Sequence, residues 1–471
     1  KYMESVWWLL AQLHKKGMLY KGYTIQPYSP MAGTGLSSHE LNQPGTYRDV
    51  KDTTIVAQFR ATDASKAALL AKAGVEDDGL PVDFLAWTTT PWTLPSNTAL
   101  TVGPNISYAL VKTSNRYTET PGYVVLAEAL VAKQFGDKKA PEHEVVATLN
   151  GSELVGMRYE ALLDWAVPMD SPEAAFQVIP GDFVTTEDGT GIVHTAPTFG
   201  ADDARVAKDA GVPAMLVDDG TGHGVPLVDF QGRFRVGPFK GKHVKAEYDT
   251  AAADDDKPVD VEIAILLKER GQAFKVEKYE HSYPHCWRTD KPILYYPLDS
   301  WFIRATAAKE RMIELNNTIT WKPESTGTGR FGKWLENVND WNLSRSRFWG
   351  IPLPIWRTED GTEERCIGSI EELKTACDEA VSAGVMASNP FASFTPGNMS
   401  DANYDAVDLH KHVVDEVLLV ASDGRPMRRE ADLIDVWFDS GSMPYAQWHY
   451  PFENKEKVEA GGAYPADFIA E

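Results

Sequence analysis

Three cysteines in 471 residues, Cys286, Cys366 and Cys377, leave no basis for a disulfide-built scaffold, and none forms a Cys-x-x-Cys pair. That usage fits a reducing compartment, and a cytoplasmic location is expected. No apolar run approaches the ~20 residues a membrane helix needs, so no membrane partner is expected. The opening KYMESVWWLLAQLHKKG is broken by acidic and polar residues, unlike a secretory signal. Basic residues are outnumbered 46 to 68, a net charge of −22 that taken alone argues against nucleic acid as partner. Three standard motifs are also missing: the Gly-x-x-x-x-Gly-Lys-Ser/Thr phosphate loop, Gly-x-Gly-x-x-Gly after a strand, and the Gly-x-Ser-x-Gly elbow. Any hydrolysis would then rely on a positioned water. The chain also lacks an initiator Met and reads as a piece of something longer.

What is present is the balance of a soluble globular protein, 43% hydrophobic and 24% charged, long enough for about two to four domains. Residues 3–16 predict an amphipathic helix with Val6, Leu9, Leu10 and Leu13 on one face and Gly17 as its stop. GYTIQPYSPMAGTG reads as a strand entering a loop. From about 45 to 280, short β-type runs (54–59, 108–111, 123–126) alternate with helical stretches (64–73, 200–210), which predicts a mixed α/β, β-rich domain. GTGHG at 220–224 reads as a turn, and Asp254–Asp256 as a solvated loop. Residues 304–347 carry eight basic and five acidic side chains, a local excess of positive charge that fits either a mixed surface or a phosphate contact. Residues 357–430 read as a less ordered insertion, and 433–438 as a strand.

Two segments carry candidate chemistry. In WTTTPWTLPSN, Thr88, Thr89 and Thr90 follow an apolar run, and Pro91 and Pro95 shape the loop to Asn97. Their hydroxyls and amides can hold a ribose or a water without adding charge, although β-branched residues also simply end strands. In EDGTGIVHTAPTFGADDARV, a turn leads to a strand bearing His194, then to a helix with Asp202 or Asp203 at its start. Such an Asp can be a helix cap and such a His a satisfied core residue. Alternatively His194 and Asp203 face one pocket, where the carboxylate would pair with a substrate ammonium.

These two strings, followed by HSYPHCWR (281–288), DWNLSRSRFWGIPLPIW (340–356) and DVWFDSGS (435–442), resemble the isoleucyl-tRNA synthetases, a class I family, over essentially the whole chain. Valine and leucine relatives resemble TTRP where this chain has Thr90, and valine enzymes resemble DTWFSS in place of DVWFDSGS. The resemblance implies an incomplete Rossmann-type catalytic domain with a large inserted mixed α/β editing domain. Residues 1–45 would end the first catalytic half, 46–280 form the editing domain, 281–356 the return on the tRNA acceptor side with HCWR as a strand, 357–430 an insertion, and 431–471 the start of the second half.

It further implies hydrolysis of valyl-tRNA(Ile) by Thr88, Thr89, Thr90, Asn97, His194 and Asp203. Trp437, Asp439 and Glu471 would belong to the amino-acid and adenylate pocket, and Arg345 and Arg347 would contact tRNA. ATP and magnesium would serve the full-length enzyme through His-Ile-Gly-His and Lys-Met-Ser-Lys-Ser motifs not found here, so isoleucine activation by this chain alone is not expected. No metal is expected: the family's zinc Cys-x-x-Cys reads Tyr28-Ser29-Pro30-Met31, and a structural zinc needs four ligands. A monomer is expected, with the tRNA(Ile) acceptor end and valine or isoleucine esters as partners. The rivals are an editing piece of a valine or leucine enzyme, and a non-catalytic tRNA-binding module.

Overall fold

The computed structural model describes residues 1–249, 251 and 257–470. The expected loop at Asp254–Asp256 and the candidate Glu471 lie outside the described residues. The chain divides into two compact units, Thr24–Leu298, and Lys1–Tyr23 together with the chain from Asp299 onward. The first contains the expected editing region and extends beyond it at both ends.

In Thr24–Leu298 the β-type runs form strands, nine of them in one sheet among the described residues. Its axis is Val82–Thr88, whose residues alternate between two buried faces: Val82, Phe84 and Ala86 join the main core, Leu85 and Trp87 a smaller one. One edge of this strand pairs along its length with Tyr47–Arg60. The other edge is shared. Pro121–Ala127 runs parallel to its start, with Val82 opposite Tyr123, and Ile192–Thr195 runs parallel to its end, with Val193 opposite Trp87. Gly191, just before the second of these strands, has φ +72°, and a Cβ there would stand 2.3 Å from the Ala127 Cβ. Only glycine fits where the shared edge changes partner.

The helices expected at 64–73 and 200–210 are found at Asp63–Ala73 and Ala201–Asp209. GTGHG closes the hairpin between Leu216–Asp218 and Gly224–Pro226, with the Asp218 carboxylate accepting the amides of Gly220 and Gly222. HCWR corrects the strand expectation. The Ala273–Pro284 strand ends before it, His285 makes only an isolated bridge to Pro292, residues 287–289 form a turn, and the chain returns along Leu294–Ile303.

In the other unit, Tyr2–Lys15 is the expected helix, stopped by Gly17 at φ +66°. Two expectations change. Residues 357–430 are not poorly ordered: a four-stranded sheet of Glu364–Cys366, Ile355–Arg357, Pro426–Arg429 and Leu418–Val420 packs with the Ile370–Ser382 helix around buried Trp356, Leu373, Phe391 and Met427. The strand expected over 433–438 covers only Leu433–Ile434. The Asp435 side chain then accepts the Trp437 amide and starts a helix, Val436–Gly441.

Candidate functional site

The register that pairs Val193 with Trp87 sets Thr88 beside His194, at the carboxyl ends of neighbouring parallel strands. On its other side His194 pairs with Leu100, in the strand that follows the Thr-rich loop. Two segments about a hundred residues apart are thereby brought together. After Thr88 the chain turns into a fully buried 3-10 helix, Pro91–Ser96. Thr88 Oγ1 accepts the Thr90 amide at 3.1 Å and lies 3.3 Å from Thr90 Oγ1, which holds the hydroxyls as a cluster. Thr89 is half-buried beside them.

His194 is buried, and both ring nitrogens are engaged. Nε2 lies 3.0 Å from Thr93 Oγ1 and Nδ1 lies 2.9 Å from Asn97 Nδ2. Burial pushes its pKa down to about 3, so the ring is neutral at physiological pH. Asn97 is equally committed: Nδ2 also donates to Ala99 O at 2.8 Å, and Oδ1 accepts from the Tyr159 hydroxyl at 2.6 Å. Asn97 thus orients His194. Tyr159 was missed by sequence reasoning, because a tyrosine far from both motifs carries no local pattern.

Asp203 does not cap its helix. Gly200 occupies that position and Asp203 lies in the first turn. One carboxylate oxygen accepts the Ala196 amide at 2.8 Å, two residues beyond His194. Loss of solvent pushes its pKa up to about 6, the Ala196 bond opposing and the Asp202 charge adding to the rise. Among the described residues no basic side chain forms an ion pair with it. Gly200 permits the arrangement, since a Cβ there would meet the Asp203 carboxyl carbon at 2.7 Å. Nearby hydroxyls of Ser96, Thr98 and Thr198 are buried and have no hydrogen-bond partner among the described residues.

A second layer was also invisible in the sequence. The Asp260 carboxylate accepts the Trp92 amide at 2.8 Å and stands 3.6 Å from the buried Lys245 ammonium, which is 3.2 Å from Asp52. Burial opposes the lysine charge, but Asp260, Tyr283 and Asp52 hold its pKa above the ordinary value. Trp92 in turn packs edge-on against Phe199, ring centroids 4.9 Å apart. The Thr-rich loop and the Thr198–Asp203 segment are thus joined through a buried aromatic pair.

In the other unit Trp437 is 60% exposed rather than core. It lines a cavity of about 520 Å³ with Trp8, Leu13, Trp341, Phe438 and Tyr445. Asp439 sits in the same short helix, its pKa raised by desolvation, and its carbonyl accepts from Tyr2. The Arg345 guanidinium is bound to the Asp435 carboxylate and to the carbonyls of Asn342 and Ser344. Arg347 is half-buried and donates to the Ser346 carbonyl. Cys286 is buried and His285 Nδ1 lies 2.9 Å from the Tyr283 carbonyl. Among the described residues no three His, Cys, Asp or Glu cluster as metal ligands would.

A family model for tRNA synthetases class I (I, L, M and V) matches residues 1–471, and the chain belongs to that class. Within it, the similar curated proteins are isoleucine–tRNA ligases. The chain is 58% identical to that of Bacteroides fragilis (strain YCH46), 57% to that of Porphyromonas gingivalis and 44% to that of Clostridium tetani, each match covering all of this chain. It spans only 43% of the first two proteins and 38% of the third. Among solved structures, the editing domain of the P. knowlesi cytosolic leucyl-tRNA synthetase is matched over 49% of this chain and 97% of its own, with 12% identity and a TM-score of 0.32. The P. falciparum counterpart is matched over 34% and 66%, with 14% identity and a TM-score of 0.26.

Proposed function

We propose that the Thr24–Leu298 unit hydrolyses valyl-tRNA(Ile), the editing step of an isoleucine–tRNA ligase. The observation that carries this reading is the Asp203 carboxylate, largely desolvated yet still part-exposed, with no basic partner among the described residues and one amide bond from the strand that bears His194. A desolvated carboxylate without a counter-ion is costly, and the α-ammonium of an aminoacyl ester supplies the missing charge. The Thr88–Thr90 cluster offers neutral hydroxyls and amides for the terminal ribose and the attacking water. His194 shapes the side-chain pocket. With its pKa pushed down to about 3 the neutral ring is a weak base, and its Nδ1 lone pair is taken by the Asn97 amide, so no general-base role is assigned to it. The ribose hydroxyl of the substrate then orients the water. A second site is useful because one methylene in an apolar pocket is worth only about 1–3 kcal/mol, a limit for which isoleucine against valine is the standing illustration rather than a result of this structure.

The same reading takes the longer protein as a cytoplasmic, monomeric ligase using ATP and magnesium, with Trp437 and Asp439 in its amino-acid pocket and Arg345 and Arg347 on the tRNA acceptor side. The similar curated proteins named above are isoleucine–tRNA ligases, and an Asp203 with no basic partner among the described residues speaks for catalysis over passive tRNA binding. Asp203→Ala tests the mechanism. Losing a charge-assisted contact of about 2–3 kcal/mol should slow valyl-tRNA deacylation at least about 30-fold with the fold intact. An unchanged rate removes Asp203 from the mechanism.

A further inference from the structure

The hydrogen bonds around Asn97 leave one consistent assignment of protons. Ala99 O can only accept, so the amide nitrogen of Asn97 faces it, at 2.8 Å. Asn97 Oδ1 can only accept, so the Tyr159 hydroxyl donates to it at 2.6 Å. The same amide nitrogen lies 2.9 Å from His194 Nδ1, and it can only donate. His194 Nδ1 is therefore the bare nitrogen and Nε2 carries the proton. That proton points at Thr93 Oγ1, 3.0 Å away, whose own hydrogen goes to Thr90 O at 2.9 Å. The line runs from Tyr159 through Asn97, His194 and Thr93 to the backbone of the Thr-rich loop, with every donor matched to an acceptor. Adding a second proton to His194 would set Nδ1–H against an N–H of Asn97, so geometry works in the same direction as burial.

Tyr159 stands at the closed end of this line. It is buried, its ring edge-on to Phe59 and Phe176 at 5.5 and 6.1 Å, and among the described residues its hydroxyl bonds Asn97 alone. Without it, the Asn97 carbonyl oxygen loses the donor it has among the described residues and the amide is less firmly oriented.

We propose that Tyr159 is a positioning residue of the deacylation site, its hydroxyl holding His194, through Asn97, as the neutral Nε2–H tautomer that anchors Thr93 and fixes the side-chain pocket. This rests on the deacylation reading above. The test uses the 471-residue chain labelled with 15N-histidine, the His194 signals being assigned by their loss in His194→Gln. Wild type should show one tautomer, bare at Nδ1 and protonated at Nε2, without titration between pH 5 and 8. Tyr159→Phe keeps the ring. It should show mixed tautomers, a valyl-tRNA kcat down about tenfold at nearly unchanged KM, and a smaller preference for valyl- over isoleucyl-tRNA, at a melting temperature close to wild type. Asn97→Asp replaces the amide donor with an acceptor and should move the proton to Nδ1 or make the ring titrate. An unshifted His194 tautomer in Tyr159→Phe overturns the relay. A shifted tautomer with unchanged rates and preference overturns the positioning role. Absence of deacylation by wild type overturns the functional reading and that role, while the tautomer spectra still judge the relay.

Discussion

The Asp260 carboxylate accepts the backbone N–H of Trp92 at 2.8 Å, although the two residues are 168 positions apart. This bond ties the Val259–Glu269 helix to the start of the 3-10 helix that carries the Thr-rich loop. The other oxygen of Asp260 faces Lys245, which Asp52 also approaches. Replacing Lys245 by Met would leave buried Asp260 without its cation, while part-exposed Asp52 would keep His281 at 3.2 Å. Urea denaturation should show a loss of about 3–5 kcal/mol for Lys245→Met, and a smaller one for Lys245→Arg. Equal stability of Lys245→Met and wild type would contradict the buried-triad assignment.

The acidic limb of deacylation follows from Asp203. Its pKa is raised to about 6 by desolvation, and ionised Asp203 is the form that binds an ammonium. The free-enzyme profile, kcat/KM, should therefore fall about tenfold per pH unit below about 6. His194, with a pKa of about 3, does not contribute to that limb. Burial also pushes Asp260 up to about 6, so a discriminating variant is needed. Asp202→Asn removes a charge that raises Asp203, and should move the limb to lower pH. For stability the sign is the reverse. The folded state holds the Asp203 proton more tightly than the unfolded chain, so its stabilising contribution is complete below about pH 4 and is lost as pH rises through about 6.

Gly200 should matter for space rather than for backbone conformation, because its φ of −140° suits any residue. In Gly200→Ala the new Cβ displaces the Asp203 carboxylate and breaks its bond to the Ala196 amide. The expected cost is about 1–2 kcal/mol in stability with a marked fall in deacylation. A crystal structure of the variant with Asp203 unmoved would contradict this.

The tryptophans of the other unit should separate by burial. Trp356 is fully buried and donates Nε1–H to the Val417 carbonyl, so Trp356→Ala should cost about 3–5 kcal/mol. Trp437 is 60% exposed, and Trp437→Ala should cost less than about 1 kcal/mol. Thermal melts of the two variants check the contrast.

The Thr-rich loop and the His194 segment were legible because each is a short string whose residue types speak for themselves. Their meeting was not legible, because it depends on Ile192–Thr195 pairing with the end of Val82–Thr88, a choice made by long-range strand order. Tyr159, Asp260 and Lys245 act on the site from distant segments and have no local signature. In DVWFDSGS, apolar alternation favoured a strand, but the Asp435 side chain captures the Trp437 amide and a helix begins. The 357–430 region looked loosely ordered from its polar turns. Ile370, Leu373, Ala376, Cys377 and Ala380 do follow a helical period, but the other core residues, Phe391, Phe394 and Met427 among them, are spaced by irregular loops that obscured it.

The central claim is that this chain discriminates esters of valine from those of isoleucine. The most direct measurement mixes the purified 471-residue chain with valyl- and isoleucyl-tRNA(Ile) and follows both hydrolysis rates, alongside Asp203→Ala. The account predicts rapid loss of the valyl ester, slow loss of the isoleucyl ester, and near-background rates for both in the variant. Equal hydrolysis of the two esters, or none above background by wild type, would contradict it.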